Sequence, residues 1–214
     1  MTSQITSMFS EPDVIRRVQE RLPMLFQIAE LESSRAGKIG MEVGSARERI
    51  LIALLIHRFG KDNVYADIPI TGSEIDVIVF DTPISMKTVT GTGWHSVKLI
   101  WTVDAEQAEH FGQTYQPACD MMLAVTNWGG AGGLFYFEKK IQLDVLKTLG
   151  RSKYMVLPKP GTNPRGVEIS TTALKALAGH KEACIIPILW RKQNIVFDPY
   201  QRWVELWANE EGAK

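Results

Sequence analysis

The sequence predicts an α/β fold in which helices flank a mixed central sheet. Segments whose apolar residues recur at helical spacing alternate along the chain with apolar runs of strand length, and this alternation is typical of α/β proteins. The chain has 214 residues, a length that fits one domain of this class, so we treat residues 1–214 as a single domain.

The composition is that of an ordinary globular protein. Apolar residues make up 45% of the chain and charged residues 22%, which excludes disordered and collagen-like chains. No apolar run reaches the roughly 18 to 20 residues that a membrane-spanning helix needs. The first residues include acidic side chains and lack the apolar stretch of a signal peptide. Cys119 and Cys184 form no CxxC pair, so we expect reduced thiols and a cytoplasmic location.

The charge is balanced, with 24 basic and 24 acidic residues, which argues against a protein that coats nucleic acid non-specifically. A protein that reads a specific DNA sequence needs only a local concentration of basic residues. Residues 147–165 contain five basic residues and no acid, whereas the last ten residues contain three acids and one lysine. This asymmetry leaves a specific DNA-binding cleft open as a hypothesis.

Two helices near the N-terminus carry recognisable boundary signals. Apolar spacing predicts the first over residues 13–32, with Pro23 expected to kink or split it. Ser45 and Glu48 form a capping box that predicts the start of the second helix, and Gly60 predicts its end. Further helices are predicted at 104–111, 140–149 and 170–178, strands at 74–80, 84–90, 97–103, 121–126, 134–137, 155–157 and 183–189, and a packed aromatic closing segment at 190–207.

Polar residues interrupt an otherwise apolar hairpin, which we predict over residues 72–87 with its turn at 81–83. Asp76 lies in the first strand and Lys87 in the second, and each side chain is costly to bury without a partner. Antiparallel pairing can bring both to one face of the hairpin, and Ser85 shares that face because it lies two residues before Lys87. The sequence contains no P-loop, HExxH or GxSxG motif, and its four histidines are scattered.

Asp76 and Lys87 admit two interpretations. They form a cross-strand ion pair on a half-exposed sheet, or they belong to a Mg²⁺ site for phosphodiester hydrolysis in which Asp76 and the Met86 carbonyl bind the cation. Such a site needs a further oxygen ligand, and Glu48 is the candidate because it lies in the first turn of the preceding predicted helix. The capping box with Ser45 explains Glu48 equally well without chemistry.

The order of these residues resembles that of the PD-(D/E)xK nuclease superfamily. It consists of a helical glutamate, a helix ended by glycine, a strand with an EID sequence and a second strand with lysine, here Glu48, Gly60, Glu74-Ile75-Asp76 and Ser85-Met86-Lys87-Thr88. Two longer stretches, ESSRAGKIGMEVGSARERI at 32–50 and PKPGTNPRGVEIS at 158–170, resemble the ThaI family of type II restriction endonucleases. This second resemblance extends over roughly residues 20–190.

The resemblance implies a restriction-endonuclease-like fold and a Mg²⁺-dependent homodimer that cuts both strands of a short palindrome of the CGCG class. Carried over by position, Asp76 matches the metal-binding aspartate, Lys87 the catalytic lysine and Glu48 the helical glutamate. The acid that usually lies two residues before the lysine is Ser85 here, so Glu48 or Glu74 is left to supply the second carboxylate. A junction-resolving or repair nuclease, a non-catalytic DNA-binding module and a structural interaction protein remain open as alternatives.

Three glycine-containing segments are candidates for contact with DNA. In residues 33–45, Met41 would wedge between base pairs beside basic residues, and in residues 158–166 an arginine would bind guanine. The alternatives are loop packing for Met41, a surface loop with a half-buried tryptophan at 91–98 and a rigid solvated loop at 158–166. Arg47 is expected to contact phosphate or to stabilise its helix. The full set of candidate DNA contacts is Arg35, Lys38, Met41, Arg47, Trp94, His95, Lys98, Lys159, Asn163 and Arg165.

Overall fold

The computed structural model describes residues 4–35, 38–40, 42–69, 74–159 and 166–208, with the side chain of Arg35 excepted. Its helices are α1 (Gln4–Ser7), α2 (Pro12–Glu32), α3 (Val43–Phe59), α4 (Ala105–Thr114), α5 (Lys139–Leu149), α6 (Arg151–Tyr154), α7 (Thr171–Ala178) and α8 (Gln201–Ala208). Short 3-10 turns lie at Met8–Ser10 and Lys61–Asn63. Within the described ranges, no helix has the length and apolar character needed to cross a membrane.

The strands form a mixed central sheet, which confirms the predicted fold class. They are β1 (Ser34–Arg35), β2 (Lys38–Ile39), β3 (Val64–Tyr65), β4 (Val77–Val79), β5 (Thr82–Thr90), β6 (Val97–Ile100), β7 (Asp120–Thr126), β8 (Ala131–Phe137), β9 (Met155–Val156), β10 (Val167–Ile169) and β11 (Cys184–Leu189). The central sheet has the order β11-β8-β7-β5-β4-β3, and a smaller sheet has the order β6-β10-β9. Strands β5 and β7 are parallel, whereas the other neighbours in the central sheet are antiparallel.

Both faces of the central sheet are buried. Successive side chains of a strand point to opposite faces, so each central strand contributes to two cores. On β7, Met122 and Ala124 join a core that also contains residues of α2 and α3. Leu123 and Val125 join a second core that contains residues of α5, α7 and the smaller sheet. The central sheet therefore lies between two layers, one with α2 and α3 and the other with α5, α7 and the smaller sheet.

Helix α2 continues through Pro23, where the sequence predicted a kink or a break. A proline inside a helix removes one main-chain hydrogen bond and crowds the preceding turn. Here Val18, Leu22 and Phe26 are all buried in the core on the sheet. Burial of these apolar side chains on both sides of the proline offsets the lost hydrogen bond, and the helix stays in one piece.

Helix α3 begins at Val43, so Ser45 lies inside the helix and the predicted capping box is wrong. The N-cap residue is Glu42, and its side chain makes no capping hydrogen bond. The predicted end is confirmed at Gly60, which has a φ of 84° and donates its N–H to the carbonyl of Ile56 at 2.8 Å. Since the capping role of Glu48 is removed, its position needs another explanation.

The hairpin of β4 and β5 turns at Phe80 and Asp81, one residue earlier than predicted, with Val79 paired to Thr82. Phe80 and Asp81 have φ values of 47° and 64°, and positive φ at both central residues is typical of a tight type I′ turn. Phe80 is an unusual residue for this conformation, but its ring packs edge-on against Phe59 at a centroid distance of 5.2 Å. The end of α3 thereby fixes the turn.

The aromatic C-terminal segment packs against the body through its first residue and only partly beyond it. Trp190 is fully buried and contacts the rings of Phe26 and Trp128. In contrast, α8 has no buried residue, and Trp203 and Trp207 are exposed. The prediction that residues 190–207 pack as a closing segment is therefore wrong for α8.

Candidate active site

Asp76 lies at the start of the β4–β5 hairpin, and its carboxylate accepts two hydrogen bonds from the opposite strand. Its Oδ2 accepts from the main-chain N–H of Met86 at 2.6 Å and from the Ser85 hydroxyl at 3.2 Å. The strand register pairs Val77 with Ile84, so Asp76 lies across from Ser85 one step further along. This register brings Asp76 to the face of β5 that also carries Lys87.

Lys87 completes this group of polar side chains. Its Nζ lies 3.9 Å from Oδ2 of Asp76, and both side chains are partly accessible. The residues on either side of Lys87 along its strand are apolar or uncharged, since β5 reads Thr-Pro-Ile-Ser-Met-Lys-Thr-Val-Thr. The cross-strand pairing of Asp76 and Lys87 on one face, expected from the sequence, is present in the structure.

The carbonyl of Met86 leaves its strand on the same side as its N–H, because both groups of one residue point to the same neighbour in an extended strand. The N–H of Met86 donates to Asp76, so the Met86 carbonyl also faces the edge of β5 on which Asp76 lies. The Met86 side chain is fully buried in the core beneath α2 and α3. Pairing of β5 on both sides, together with burial of the Met86 side chain, keeps the carbonyl in this direction.

Glu48 is held beside this group by the packing of α3. The buried stripe of α3 consists of Arg47, Leu51 and Leu55, and Glu48 lies at the flank of this stripe, half-buried. Burial raises the pKa of the Glu48 carboxyl above its ordinary value, nearby Asp76 raises it further, and Lys87 opposes both. The charges of Asp76 and Lys87 thus act on the carboxyl of Glu48, so the three side chains belong to one group of interacting charges.

Glu74 is the second carboxylate near the hairpin, and the loop after α4 encloses it. Burial raises the pKa of Glu74, while hydrogen bonds from the Ala118 N–H and the Tyr115 hydroxyl lower it. The N–H of Ala118 lies 3.4 Å from Oε2, and Oε1 is buried without a hydrogen-bond partner among the residues that the structure describes. Glu74 is therefore bound to the protein through one oxygen, and the charges of Asp76 and Lys87 act on its pKa as they act on that of Glu48.

The donor set fits a hard divalent cation. Glu48 and Asp76 offer carboxylate oxygens and Met86 a carbonyl oxygen, which are the ligand types of Mg²⁺. In the described ranges, no three His, Cys, Asp or Glu side chains converge closely enough to hold a metal ion by themselves. Mg²⁺ in phosphoryl-transfer sites is usually held by only one or two carboxylates, with water and substrate phosphate as the other ligands.

Arg47 has a structural role, which favours the second of its two predicted roles, stabilisation of its helix, over contact with phosphate. Its guanidinium forms a buried ion pair with Glu30, with side-chain exposures of 6% and 5%, and donates to the Thr90 hydroxyl at 2.6 Å. Glu30 also accepts from the Trp128 indole at 2.6 Å and pairs with Lys192 at 3.3 Å. An arginine this deeply buried has no free face for DNA. Glu30 was not identified from the sequence, because an acid in an amphipathic helix normally indicates a solvated position.

The smaller sheet carries two of the candidate DNA-contact segments at opposite ends. Strand β6 follows Trp94 and His95, and its first residue, Val97, pairs with Ile169 at the end of β10, whereas Val167 at the start of β10 pairs with Ile100. Trp94 packs against Phe135 at a centroid distance of 5.2 Å, while His95 is exposed. Lys98 bonds to Glu168 at 3.0 Å.

The other candidate DNA contacts are described only in part. Lys38 and Lys159 are exposed. Met41, Asn163, Arg165 and the side chain of Arg35 lie outside the described parts of the chain.

Comparisons with known proteins identify the family to which the chain belongs. The model of the family described as restriction endonuclease ThaI matches residues 8–209. A solved structure described as a restriction endonuclease in complex with substrate DNA is 50% identical, covers 96% of this chain and 99% of its own, and superposes with a TM-score of 0.90. No curated protein matches. A match over nearly the whole chain decides against a non-catalytic module, a structural protein and a resolving or repair nuclease. The chain belongs to the ThaI family of restriction endonucleases.

Proposed function

We propose that Glu48, Asp76 and Lys87 form the catalytic centre with which this type II restriction endonuclease hydrolyses DNA phosphodiesters, and that the reaction requires Mg²⁺. The observation that supports this proposal most strongly is the Lys87 ammonium 3.9 Å from Oδ2 of Asp76 on a hairpin that is otherwise largely apolar. A purely structural ion pair of Asp76 and Lys87 would not require a half-buried glutamate nearby. Here the charges of Asp76 and Lys87 also act on the carboxyl of Glu48.

Asp76, Glu48 and the Met86 carbonyl would hold the cation. When bound, Mg²⁺ offsets the negative charge that develops on the phosphate and acidifies a bound water. The hydrogen bonds from Ser85 and Met86 orient the Asp76 carboxylate before substrate arrives. The Lys87 ammonium orients the attacking water and offsets charge on the scissile phosphate. Glu48 or Glu74 replaces the acid missing at Ser85, since the charges of Asp76 and Lys87 act on both carboxyls and Glu74 keeps one oxygen, Oε1, without a hydrogen-bond partner among the described residues.

The substrate is a short palindromic site in duplex DNA, of the CGCG class, cut by a homodimer in which each copy cleaves one strand. A palindrome has the same two-fold symmetry as a dimer of identical chains. Lys98 lies on the smaller sheet, Trp94 and His95 precede its strand β6 at one end, and the segment that carries Lys159 leaves β9 towards the other end. We propose that DNA contacts extend along this sheet, where phosphate contacts position the protein and base contacts provide specificity.

Digestion of a plasmid followed by sequencing of the fragment ends tests the proposed function. With Mg²⁺ we expect discrete fragments whose ends all fall within one palindromic GC-only tetranucleotide, and with a chelator we expect none. Random ends or cleavage that persists in chelator would overturn the proposal. Ends at a different palindrome would overturn only the proposed CGCG class and would leave the catalytic centre in place.

A further inference from the structure

The side chain of Arg47 connects the start of α3 with the end of β5. One terminal nitrogen of its guanidinium, Nη1, donates to the Thr90 hydroxyl at 2.6 Å, and the other, Nη2, pairs with the buried carboxylate of Glu30 on α2. The buried residues of α3 are Arg47, Leu51 and Leu55, of which Arg47 lies nearest the start of the helix. The guanidinium therefore joins the first part of α3 to the strand that carries Lys87.

Thr90 is the last residue of β5, and the sheet fixes its main chain. It pairs with Thr126 of the parallel strand β7, and the N–H of the next residue, Gly91, donates to the Thr126 carbonyl at 3.0 Å. Lys87 lies three residues earlier, about 10 Å away along the strand, and the odd separation puts the side chains of Thr90 and Lys87 on opposite faces of the sheet. Thr90 is thus outside the catalytic centre but on the same fixed strand.

The guanidinium of Arg47 is also fixed on its other sides. Its Cζ lies 5.3 Å from the centroid of the fully buried Phe26 ring. The indole of Trp128 donates to Glu30 at 2.6 Å and so holds the carboxylate with which Arg47 pairs. The Nε of Arg47 has no hydrogen-bond partner in the parts of the chain that the structure describes. The orientation of the planar guanidinium therefore depends on its two terminal nitrogens, one of which binds Thr90.

Glu48 follows Arg47 directly in α3, and consecutive Cα atoms are only about 3.8 Å apart, so Glu48 moves with Arg47. The N-cap residue Glu42 makes no side-chain capping hydrogen bond that would hold the start of the helix. Leu51 and Leu55 pack in the core further along the helix. Apolar packing is non-directional, whereas a hydrogen bond holds both a distance and a direction. The bond from Arg47 to Thr90 therefore sets the position of Glu48 relative to the hairpin.

We propose that Thr90 is a positioning residue, which acts through Arg47 to hold the Glu48 carboxylate where it binds the cation together with Asp76. This inference rests on the proposed function, because it requires Glu48 as a ligand of the cation. Mg²⁺ accepts ligands only near its ideal distance of about 2.1 Å and in nearly octahedral directions, so a small displacement of Glu48 weakens its binding. Thr90 itself supplies no ligand.

Conservative substitution of Thr90 tests the inference. Thr90→Val removes the hydroxyl and keeps the branched shape, whereas Thr90→Ser keeps the hydroxyl. Because Thr90 is exposed at the end of its strand, we expect both variants to fold. Thr126→Val is the matched control, since Thr126 pairs with Thr90 in the sheet and its buried hydroxyl has no hydrogen-bond partner among the residues that the structure describes.

Two responses to Mg²⁺ are measured. They are the shift that Mg²⁺ causes in the midpoint of urea unfolding and the Mg²⁺ concentration at half the maximal rate of single-turnover cleavage. For Thr90→Val we expect the shift to fall below about half of the parental value and the half-saturating concentration to rise at least about fivefold. Thr90→Ser and Thr126→Val should stay within about twofold of the parent in both responses, and the affinity of all three variants for DNA in chelator should be parental.

Parental responses of Thr90→Val to Mg²⁺ would overturn the inference, and weaker DNA binding by such a chain would assign Thr90 to direct DNA contact instead. An equal loss of response in Thr126→Val also overturns the inference. A loss in Thr90→Ser as large as that in Thr90→Val does the same, because the Thr90 hydroxyl would then not be the cause.

Combination with Glu48→Gln separates this inference from the proposed function. Thr90 acts through Glu48, so Thr90→Val should weaken the Mg²⁺ response no further in a chain that already carries Glu48→Gln. A further loss of the same size in the double variant overturns the inference. If Glu48→Gln alone responds to Mg²⁺ like the parent, the ligand role of Glu48 in the proposed function fails. If Glu48→Gln loses the response and Thr90→Val keeps it, only the positioning role of Thr90 fails.

Discussion

The main-chain N–H of Met86 donates a 2.6 Å hydrogen bond to Oδ2 of Asp76. A backbone donor on a buried strand cannot rotate away, so this bond fixes the carboxylate more firmly than a side-chain hydroxyl does. The Ser85 hydroxyl is the second donor to the same oxygen, at 3.2 Å. Asp76 is therefore oriented mainly by the main chain, which makes the identity of residue 85 less important than its position in the motif suggests.

Replacement of Ser85 by alanine should leave most of the activity. The substitution removes one of the two donors to Asp76, a loss of about 1 kcal/mol for a single hydrogen bond, and we expect the cleavage rate to fall by less than about tenfold. Single-turnover cleavage at saturating Mg²⁺ measures the effect. A loss of a thousandfold or more would mean that Ser85 takes part in the chemistry and that the centre is wrongly assigned.

Replacement of Glu48 by glutamine should lower the cleavage rate and raise the free energy of unfolding at high pH. Burial raises the pKa of Glu48, so between the ordinary and the raised pKa the folded chain binds more protons than the unfolded chain. The free energy of unfolding contributed by Glu48 therefore falls as pH rises through this window. Glu48→Gln removes that titration, and we expect it to be more stable than the parent at pH 8 and no more stable at pH 4.

Urea unfolding in chelator at both pH values measures the effect of Glu48→Gln, and the cleavage rate should be at least about a thousandfold lower because a ligand of the cation is lost. Mg²⁺ should stabilise the parent chain more than the variant, because only the folded parent has both carboxylates. An equal response of the two proteins to Mg²⁺ would show that Glu48 does not bind the cation.

Replacement of Arg47 by methionine should destabilise the fold strongly. The substitution leaves the buried carboxylate of Glu30 without its arginine, although Lys192 and the Trp128 indole still contact it. Breaking a buried ion pair typically costs about 3–5 kcal/mol, and we expect about 3 kcal/mol in the free energy of unfolding. Arg49→Met is the matched control, since Arg49 is an exposed neighbour on the same helix and should change stability by less than about 0.5 kcal/mol. Equal effects of the two substitutions would contradict the structural role of Arg47.

The sequence was sufficient for the parts of the site that depend on strand alternation. Because side chains alternate with period two, the observed two-residue turn, which sets Asp76 across from Ser85, brings Asp76 and Lys87 to one face as predicted. Regular pairing around a three-residue turn at 81–83 would have put them on opposite faces. The alternation of helices and strands likewise predicted a mixed sheet between helices, which the structure confirms.

The errors arise where tertiary contacts override local signals. Ser45 and Glu48 have the spacing of a capping box, but packing of α3 on the sheet extends the helix to Val43. Arginine is normally a surface residue, and only the fold shows that Arg47 is buried against Glu30, which is distant in the sequence. The spacing of the C-terminal aromatics predicts an apolar face correctly, yet spacing does not indicate which molecule covers that face.

Single-turnover cleavage of plasmid DNA by Asp76→Asn and Lys87→Gln tests the central claim most directly. Asp81→Asn is the control, because Asp81 lies in the turn with a φ of 64°, a conformation that asparagine adopts readily. We expect Asp76→Asn and Lys87→Gln to cut at least about a thousandfold more slowly than the parent while they fold and bind DNA, and Asp81→Asn to cut at the parental rate. Cleavage by either of the first two variants within about tenfold of the parent would contradict the assignment of Asp76 and Lys87 as the catalytic pair.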